Sequence, residues 1–328
     1  MDTTLIIRYA SRIIGLVVLV IVLLGILTWT GVVKPNVVPG WCSVYWSIAG
    51  FQTGGPKVLL VYGNDGLGNP VGPCEPGLEQ CSLEELLENP EIAGIQVDTM
   101  RLSSVNLGNL RNYNLVIVDK AKTMETKQMR AFIDYYAQGG RLVWIGDSGT
   151  ELGPDDQYLY ANERNNVDAN KIIGPWARKD GDVMVSLDYV LSVRYKTNLC
   201  KAINCDMGKT IYAGKIVPET SGEHSLIKGM SAALPLYVFK DEDFAVVETI
   251  SGGITTEVLT LDTMSNLIGT GGQDFGRDLP FIVTSGIGER AVYFAMPPEY
   301  FANPKLSKFE KGPYLLPIEN LYYGMLCG

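Results

Sequence analysis

A single histidine, His224, stands among the 328 residues, and no Cys-x-x-Cys pair occurs. His224 also has no cysteine at a zinc-ligand spacing, so the common zinc sites are excluded. Cations are scarce too: 27 Lys and Arg face 36 Asp and Glu, a net charge of −9. Phosphate backbones require a positive field, which argues against nucleic acid as a partner. Polar low-complexity tracts are absent. With 46% hydrophobic and 19% charged residues the chain has ample material for a core and is not a disordered stalk. None of the acidic groups Asp155-Asp156, Asp180-Gly181-Asp182 and Asp241-Glu242-Asp243 lies in a 12-residue calcium loop, and all three read as solvated turns. Neither a metal nor a cofactor is expected.

Charge is missing altogether from Ile13 to Val33, 21 consecutive residues. At about 1.5 Å per residue a helix of that length crosses one hydrocarbon core, with its backbone hydrogen bonds closed internally. A secretory signal fits less well, because its apolar region is shorter and ends in small residues, whereas this run ends in Leu27, Thr28, Trp29 and Thr30. A buried soluble helix would need protein on every side. Arg8 and Arg12 precede the span and place residues 1–12 in the cytoplasm, with the rest outside. The lipid bilayer is therefore an expected partner through residues 13–33, and other envelope or membrane proteins are expected beside it.

Outside the membrane six cysteines can stay oxidised. Cys74 with Cys81, and Cys200 with Cys205, are close enough in sequence to close local loops. Cys42 and Cys327 remain and would join the two ends of the outer domain, although six cysteines allow 15 connectivities.

Residues 34–56 read as a juxtamembrane connector, rich in Pro and Gly with Trp41, Tyr45 and Trp46 between them. From Lys57 the pattern alternates. Val58–Tyr62 is a short apolar run followed by turn residues. Ser82 and Glu85 have the capping-box spacing and open a helix over 82–89. Ile95–Leu102, Leu115–Val118 and Leu142–Ile145 read as strands, and 123–138 as a helix with Met129, Phe132, Ile133 and Tyr136 on one face, stopped by Gly139 and Gly140. Continuous apolar strands alternating with helices indicate an α/β domain with a parallel sheet over 57–328. Glu151 to about Ser221 is an insertion of loops and short helices. Further strands are expected near 236–239, 244–250, 256–261, 281–284 and 291–295, and a final helix over 315–326.

The order of elements, the YYAQGGRLVWIGDSG segment, HSLIKGM at His224–Met230 and GERAVYFAMPPEYF at Gly288–Phe301 resemble the class I glutamine amidotransferase-like superfamily, in its branch without amidotransferase activity. The resemblance covers roughly 57–145 and 234–301. It implies a flavodoxin-like, amidotransferase-like parallel sheet. Active members carry a cysteine at the turn after the strand matching Leu142–Ile145 and a His-Pro-Glu near the last strand. Here the turn reads Gly146-Asp147-Ser148-Gly149, and Pro297 stands where the histidine is expected, leaving only Glu299. The resemblance thus implies the fold and argues against the chemistry.

Two function classes follow. The first is a non-catalytic binding or assembly module, with its site where open α/β sheets place ligands, at the carboxyl ends of the parallel strands. Asp65, Asp119, Lys120, Asp147 and Ser148 fall at those ends, and Glu299 arrives from the late strand. The alternative is an extracytoplasmic hydrolase using Ser148 with acidic residues. Against it, Gly-Asp-Ser-Gly is one residue short of the nucleophile-elbow pattern, and His224, the one available base, reads as a surface or capping residue. The glycine-rich Gly269–Gly276 does not lead from a strand into a helix and is not a phosphate cradle.

Overall fold

A computed structural model describes residues 3–30, 32–33, 38, 41–49, 56–63, 82–90, 92–160, 172–205, 211–219, 224–230, 233–238, 244–262, 265–269, 272–302 and 311–327. Asp65, Cys74 and Cys81 lie outside these residues, as does the group Asp241-Glu242-Asp243.

Nine strands form one sheet. In chain order they are β1 (Val58–Tyr62), β2 (Val97–Arg101), β3 (Leu115–Asp119), β4 (Arg141–Ile145), β5 (Ile211–Pro218), β6 (Leu234–Val238), β7 (Gly253–Leu261), β8 (Asp278–Ser285) and β9 (Ala291–Phe294). Across the sheet the order is β6-β5-β7-β8-β9-β4-β3-β1-β2. The half running from β2 to β9 is parallel; the half from β9 out to β6 is antiparallel. The expected α/β class with a parallel sheet therefore holds for one half only. β3 and β4 are buried almost throughout and read as unbroken apolar runs, whereas β2, at the edge, exposes Asp98, Thr99 and Arg101.

The order 2-1-3-4 reverses its winding between β1 and β3, where Tyr62 pairs with Asp119. In an open α/β sheet, sites usually lie at the carboxyl ends of the strands beside such a reversal.

Local signals place the helices. Ser82 and Glu85 form the expected capping box at the start of Leu83–Glu88. The following long helix begins at Thr126, not Thr123, because Glu125 and Gln128 make a second capping box and Thr123–Met124 pairs with Glu151–Leu152 as a short strand. Asp156 accepts a 2.6 Å hydrogen bond from the Thr126 N–H, which ties the insertion to this helix. Phe132 on its inner face meets Trp144 of β4 edge-on at 5.5 Å.

Three expectations about the chain ends and the insertion need correction. The apolar helix runs Thr3–Trp29, and its 21-residue stretch long enough to cross a membrane is Tyr9–Trp29, not 13–33. It stops there because Val32 and Val33 turn back to bond the Leu27 carbonyl, which closes the helix. Within the connector, Trp41–Ala49 is a helix, and the Trp41 indole N–H donates to Thr28 Oγ1 at 2.9 Å. Finally, among its described residues the insertion holds several short strands besides the expected short helices, here Asp188–Leu191 and Leu199–Ile203. Gln157–Tyr158, Ala177–Asp180 and Val183–Ser186 form an antiparallel sheet, with Gly181 at φ 61° in its Asp-Gly hairpin turn, and Ile211–Pro218 already belongs to the main sheet.

Cys42 lies against Cys327, and Cys200 against Cys205, both as disulfides, with Cα–Cα distances of 5.4 and 4.8 Å. The first bridge joins the juxtamembrane helix to the C-terminal helix, Lys311–Cys327.

Candidate functional site

At the carboxyl edge of the parallel half, three of the expected residues meet. Asp119 ends β3 and is 5% exposed; Lys120 follows it; Glu299 is 2% exposed in the 3-10 turn Pro298–Ala302. Lys120 Nζ sits 2.5 Å from Glu299 Oε1 and 5.0 Å above the Tyr300 ring. Proline supplies the local reason for this turn. Met296-Pro297-Pro298 ends β9, and Pro297 packs over Gly146, whose left-handed backbone (φ 61°) and 2.7 Å N–H bond to the Phe294 carbonyl hold the two strand ends together.

Lys120 itself adopts a left-handed backbone, φ 47°. For a residue with a Cβ this costs on the order of 1 kcal/mol or more, and it persists where the surroundings over-determine it. Here the ion pair to Glu299 and the Tyr300 ring fix the side chain from two sides.

The electrostatics of the group follow from burial. Burial, then the facing Glu299 carboxylate, raises the Asp119 carboxyl well above its ordinary value, while Lys120 pulls it down less strongly. Burial also works to discharge Lys120, but Glu299 and Asp119 outweigh it and hold the ammonium protonated beyond its ordinary range. The resulting centre is one ammonium with two carboxyls, of which Asp119 is the more reluctant to ionise. Asp119 accepts from the Lys120 backbone N–H, and its Oδ1 has no hydrogen-bond partner among the described residues.

Asp147 and Ser148 lie beside this centre with different roles. Lys122 Nζ stands 3.4 Å from Asp147 and 3.4 Å from Glu151, and the Asn198 amide donates to Asp147 at 3.1 Å. Ser148 is fully buried, and its Oγ accepts from the Ala121 N–H at 3.3 Å. Its carbonyl accepts from the indoles of Trp144 (2.9 Å) and Trp176 (2.8 Å). Buried Arg178 donates to the carbonyls of Pro175, Met124, Gly149 and Glu151. The segment Gly146–Gly149 leads into the strand Glu151–Leu152 and not into a helix. Consequently Ser148 is a buried turn residue that fastens the insertion to the sheet, and its hydroxyl is not presented as a nucleophile.

The N–H groups of that turn are also occupied: Gly146, Ser148, Gly149 and Thr150 donate to the carbonyls of Phe294, Ile145, Ala121 and Asp147. None of these four is left to hold an oxyanion. His224 cannot serve as base, because its Nδ1 accepts from the Leu226 N–H and its Nε2 lies 2.7 Å from Glu289, at the amino edge of the sheet.

Sequence reasoning missed Lys122, Asn198 and Tyr300. Lys122 was legible as the second lysine of Asp119-Lys120-Ala121-Lys122. Asn198 sits in the insertion, whose strands carry too few residues for a periodic signal, and nothing pointed to it. A further buried acid was missed entirely: Glu257 in β7 is fully buried, with both oxygens unpartnered among the described residues, and burial pushes its carboxyl up to about 8.

No family model matches the chain, and no curated protein matches it. Among solved structures, a β-galactosidase from Rahnella sp. R3 is similar over 83% of this chain at 15% identity and TM-score 0.48. This chain covers 32% of that enzyme, about a third of its length. A ThuA-like protein from Bacteroides uniformis is similar over 82% of this chain and 90% of its own, at 14% identity and TM-score 0.47. Similarity at this level bears on neither activity nor substrate.

Proposed function

We propose that this chain is a single-pass, membrane-anchored binding or assembly module, working outside the cytoplasm on a catalytically inactive amidotransferase-like α/β domain. One observation carries the reading. At the edge where this sheet gathers its charged groups, the hydroxyl of the turn after β4, Ser148, is buried and hydrogen-bonded to the backbone, while Asp119, Lys120 and Glu299 form a compensated polar centre. Such a centre suits recognition of a polar ligand or of a partner's basic side chain. Among the described residues it shows no nucleophile, base and oxyanion donors arranged as acyl transfer needs.

Several features support the location. The helix containing Tyr9–Trp29 is apolar and exposed along this stretch, and Arg8 and Arg12 flank or enter its first turns, which favours a cytoplasmic N-terminus. Two disulfides suit an oxidising compartment. Other envelope or membrane proteins are the partners this placement favours.

The test pairs retention with stability. Asp119→Asn with Asp147→Asn, extracted gently in detergent, should lose a species that the wild-type chain retains in native mass spectrometry, at unchanged Tm. If wild-type and variant carry the same mass, the edge is not a binding site and the proposal fails.

A further inference from the structure

The parallel strands give the domain two unlike ends, and the anchor is fastened to one of them. The juxtamembrane helix Trp41–Ala49 receives the apolar helix through the Trp41–Thr28 hydrogen bond. It is stapled by Cys42 to Cys327 at the end of the C-terminal helix. Tyr45 of the same helix lies close enough to Arg141 for the guanidinium to act on its phenol. Arg141 opens β4, so the anchor meets the sheet at the amino ends of the parallel strands. The Asp119–Lys120–Glu299 centre lies at the opposite ends, about 17 Å away along a five-residue strand.

The amino end exposes apolar side chains and cations beside an acid, Glu88, whose carboxylate accepts from the Val97 N–H at the start of β2. The segment Asp188–Leu191 belongs to this end, because Ser285, the last residue of β8 and paired with Ala291 at the start of β9, donates to the Val190 carbonyl. Its Tyr189 is 62% exposed. Gly253, the first residue of β7, pairs with Ser285, and Ile254 beside it is 49% exposed. Two exposed cationic residues share the end: Lys57 before β1, and Arg111, whose guanidinium donates to Gln138 at the close of the long helix. Glu289, the acid of the β8–β9 turn, is occupied by His224.

We propose that this amino end is a bilayer-contact surface. Tyr189 and Ile254 would enter the interfacial layer and Lys57 and Arg111 would meet anionic headgroups, so that the domain lies on its membrane with the Asp119–Lys120–Glu299 edge turned away. The occupant is a lipid surface because the anchor leaves the domain at this same end, where the exposed Tyr189 and Ile254 stand with two exposed cations, Lys57 and Arg111. The inference rests on the reading of the N-terminal helix as a membrane anchor.

The experiment uses the full chain reconstituted in vesicles of phosphatidylcholine, with and without phosphatidylglycerol. Tyr189→Cys and Thr123→Cys each carry a fluorophore, Thr123 being exposed just beyond the carboxyl end of β3. A headgroup-level quencher lipid should quench the label at 189 severalfold more than the label at 123. Phosphatidylglycerol should widen the difference, and Lys57→Glu with Arg111→Glu should cancel that widening. Equal quenching at both positions, or stronger quenching at 123, overturns the proposal. Alkaline carbonate washing separates this from failure of the anchor: protein that leaves the vesicle pellet refutes the anchor, whereas protein that stays but shows no contrast refutes the orientation alone.

Discussion

The two halves of the sheet bury acid in opposite ways. In the parallel half Asp119 and Glu299 face each other with Lys120 between charge and solvent. In the antiparallel half Glu257 lies alone, between irregular registers that shift on both sides of it against β8. Burial acts on both. Only the first centre has a cation to offset it, so the first can hold a charge inside the protein while the second holds a proton. The difference teaches that burial depth alone does not decide how an acid is held; the presence of a compensating, partly exposed partner does, and Lys120 is 22% exposed.

The contrast breaks most visibly at Lys120. Replacing it with Met leaves two buried carboxyls without their cation, and loss of one member of a buried ion pair costs roughly 3 to 5 kcal/mol. Lys120→Met should therefore lower stability by about 3 kcal/mol near neutral pH. Lys120 is what pulls the raised Asp119 carboxyl down, so with the cation gone that carboxyl rises further and the folded chain binds more protons than the unfolded one; stability must increase as pH falls through that window. Urea unfolding at pH 7 and pH 4 checks this, and a loss that is the same at both pH values would show that Lys120 acts by packing.

Glu257 gives the opposite sign on substitution. Its folded pKa of about 8 lies above the ordinary value of 4.5, so between those values the folded state keeps a proton that the unfolded state releases. Stability thus falls as pH rises, by up to about 1.4 kcal/mol per unit, and levels off above about 8. Glu257→Gln imitates the protonated acid and removes the slope. The variant should match wild type near pH 4 and exceed it by roughly 3 kcal/mol at pH 7, read from urea midpoints. Parallel stability curves for the two proteins would mean that Glu257 is not held protonated.

How much of this was legible follows the length of each signal. β1, β3, β4 and the helix Leu83–Glu88 were plain, because a buried parallel strand reads as a continuous apolar run and a capping box marks a helix start. Asp119, Lys120 and Glu299 were legible through topology, since strand ends of a doubly wound sheet converge. The antiparallel half was harder. There β6, β7 and β8 lie near their expected places, but Ile211–Pro218 falls within the expected insertion, and nothing in the runs near 211–218 and 234–238 says whether the chain returns beside β7 or crosses the sheet. Glu257 stayed hidden because a single acid in GITTEVLTL looks like the solvent-facing member of an alternating strand. The local environment, in particular the bulge on either side, turns it inward instead. The depth of Ser148 was hidden for a related reason: an indole and the guanidinium that immobilise its turn come from Trp176 and Arg178, in an insertion whose packing no local pattern announces.

Ser148 also provides the finest test of the comparison, because it lies between a structural and a chemical reading of the parallel half. Its carbonyl receives the two indole N–H groups, and these bonds do not depend on the side chain. Only Oγ would be lost in Ser148→Ala, and with it the partner of the buried Ala121 N–H. An orphaned buried donor costs about 1 to 3 kcal/mol, and the small volume change of Ser to Ala keeps the expected loss near the lower figure. The variant should therefore unfold about 1 kcal/mol more easily in urea, with the binding edge intact. Background turnover of model esters should be identical in wild type and variant, since an Oγ that accepts from the backbone inside a closed turn does not attack a carbonyl. A fall in ester turnover larger than the accompanying loss of folded protein would reverse the assignment and return this edge to hydrolytic chemistry.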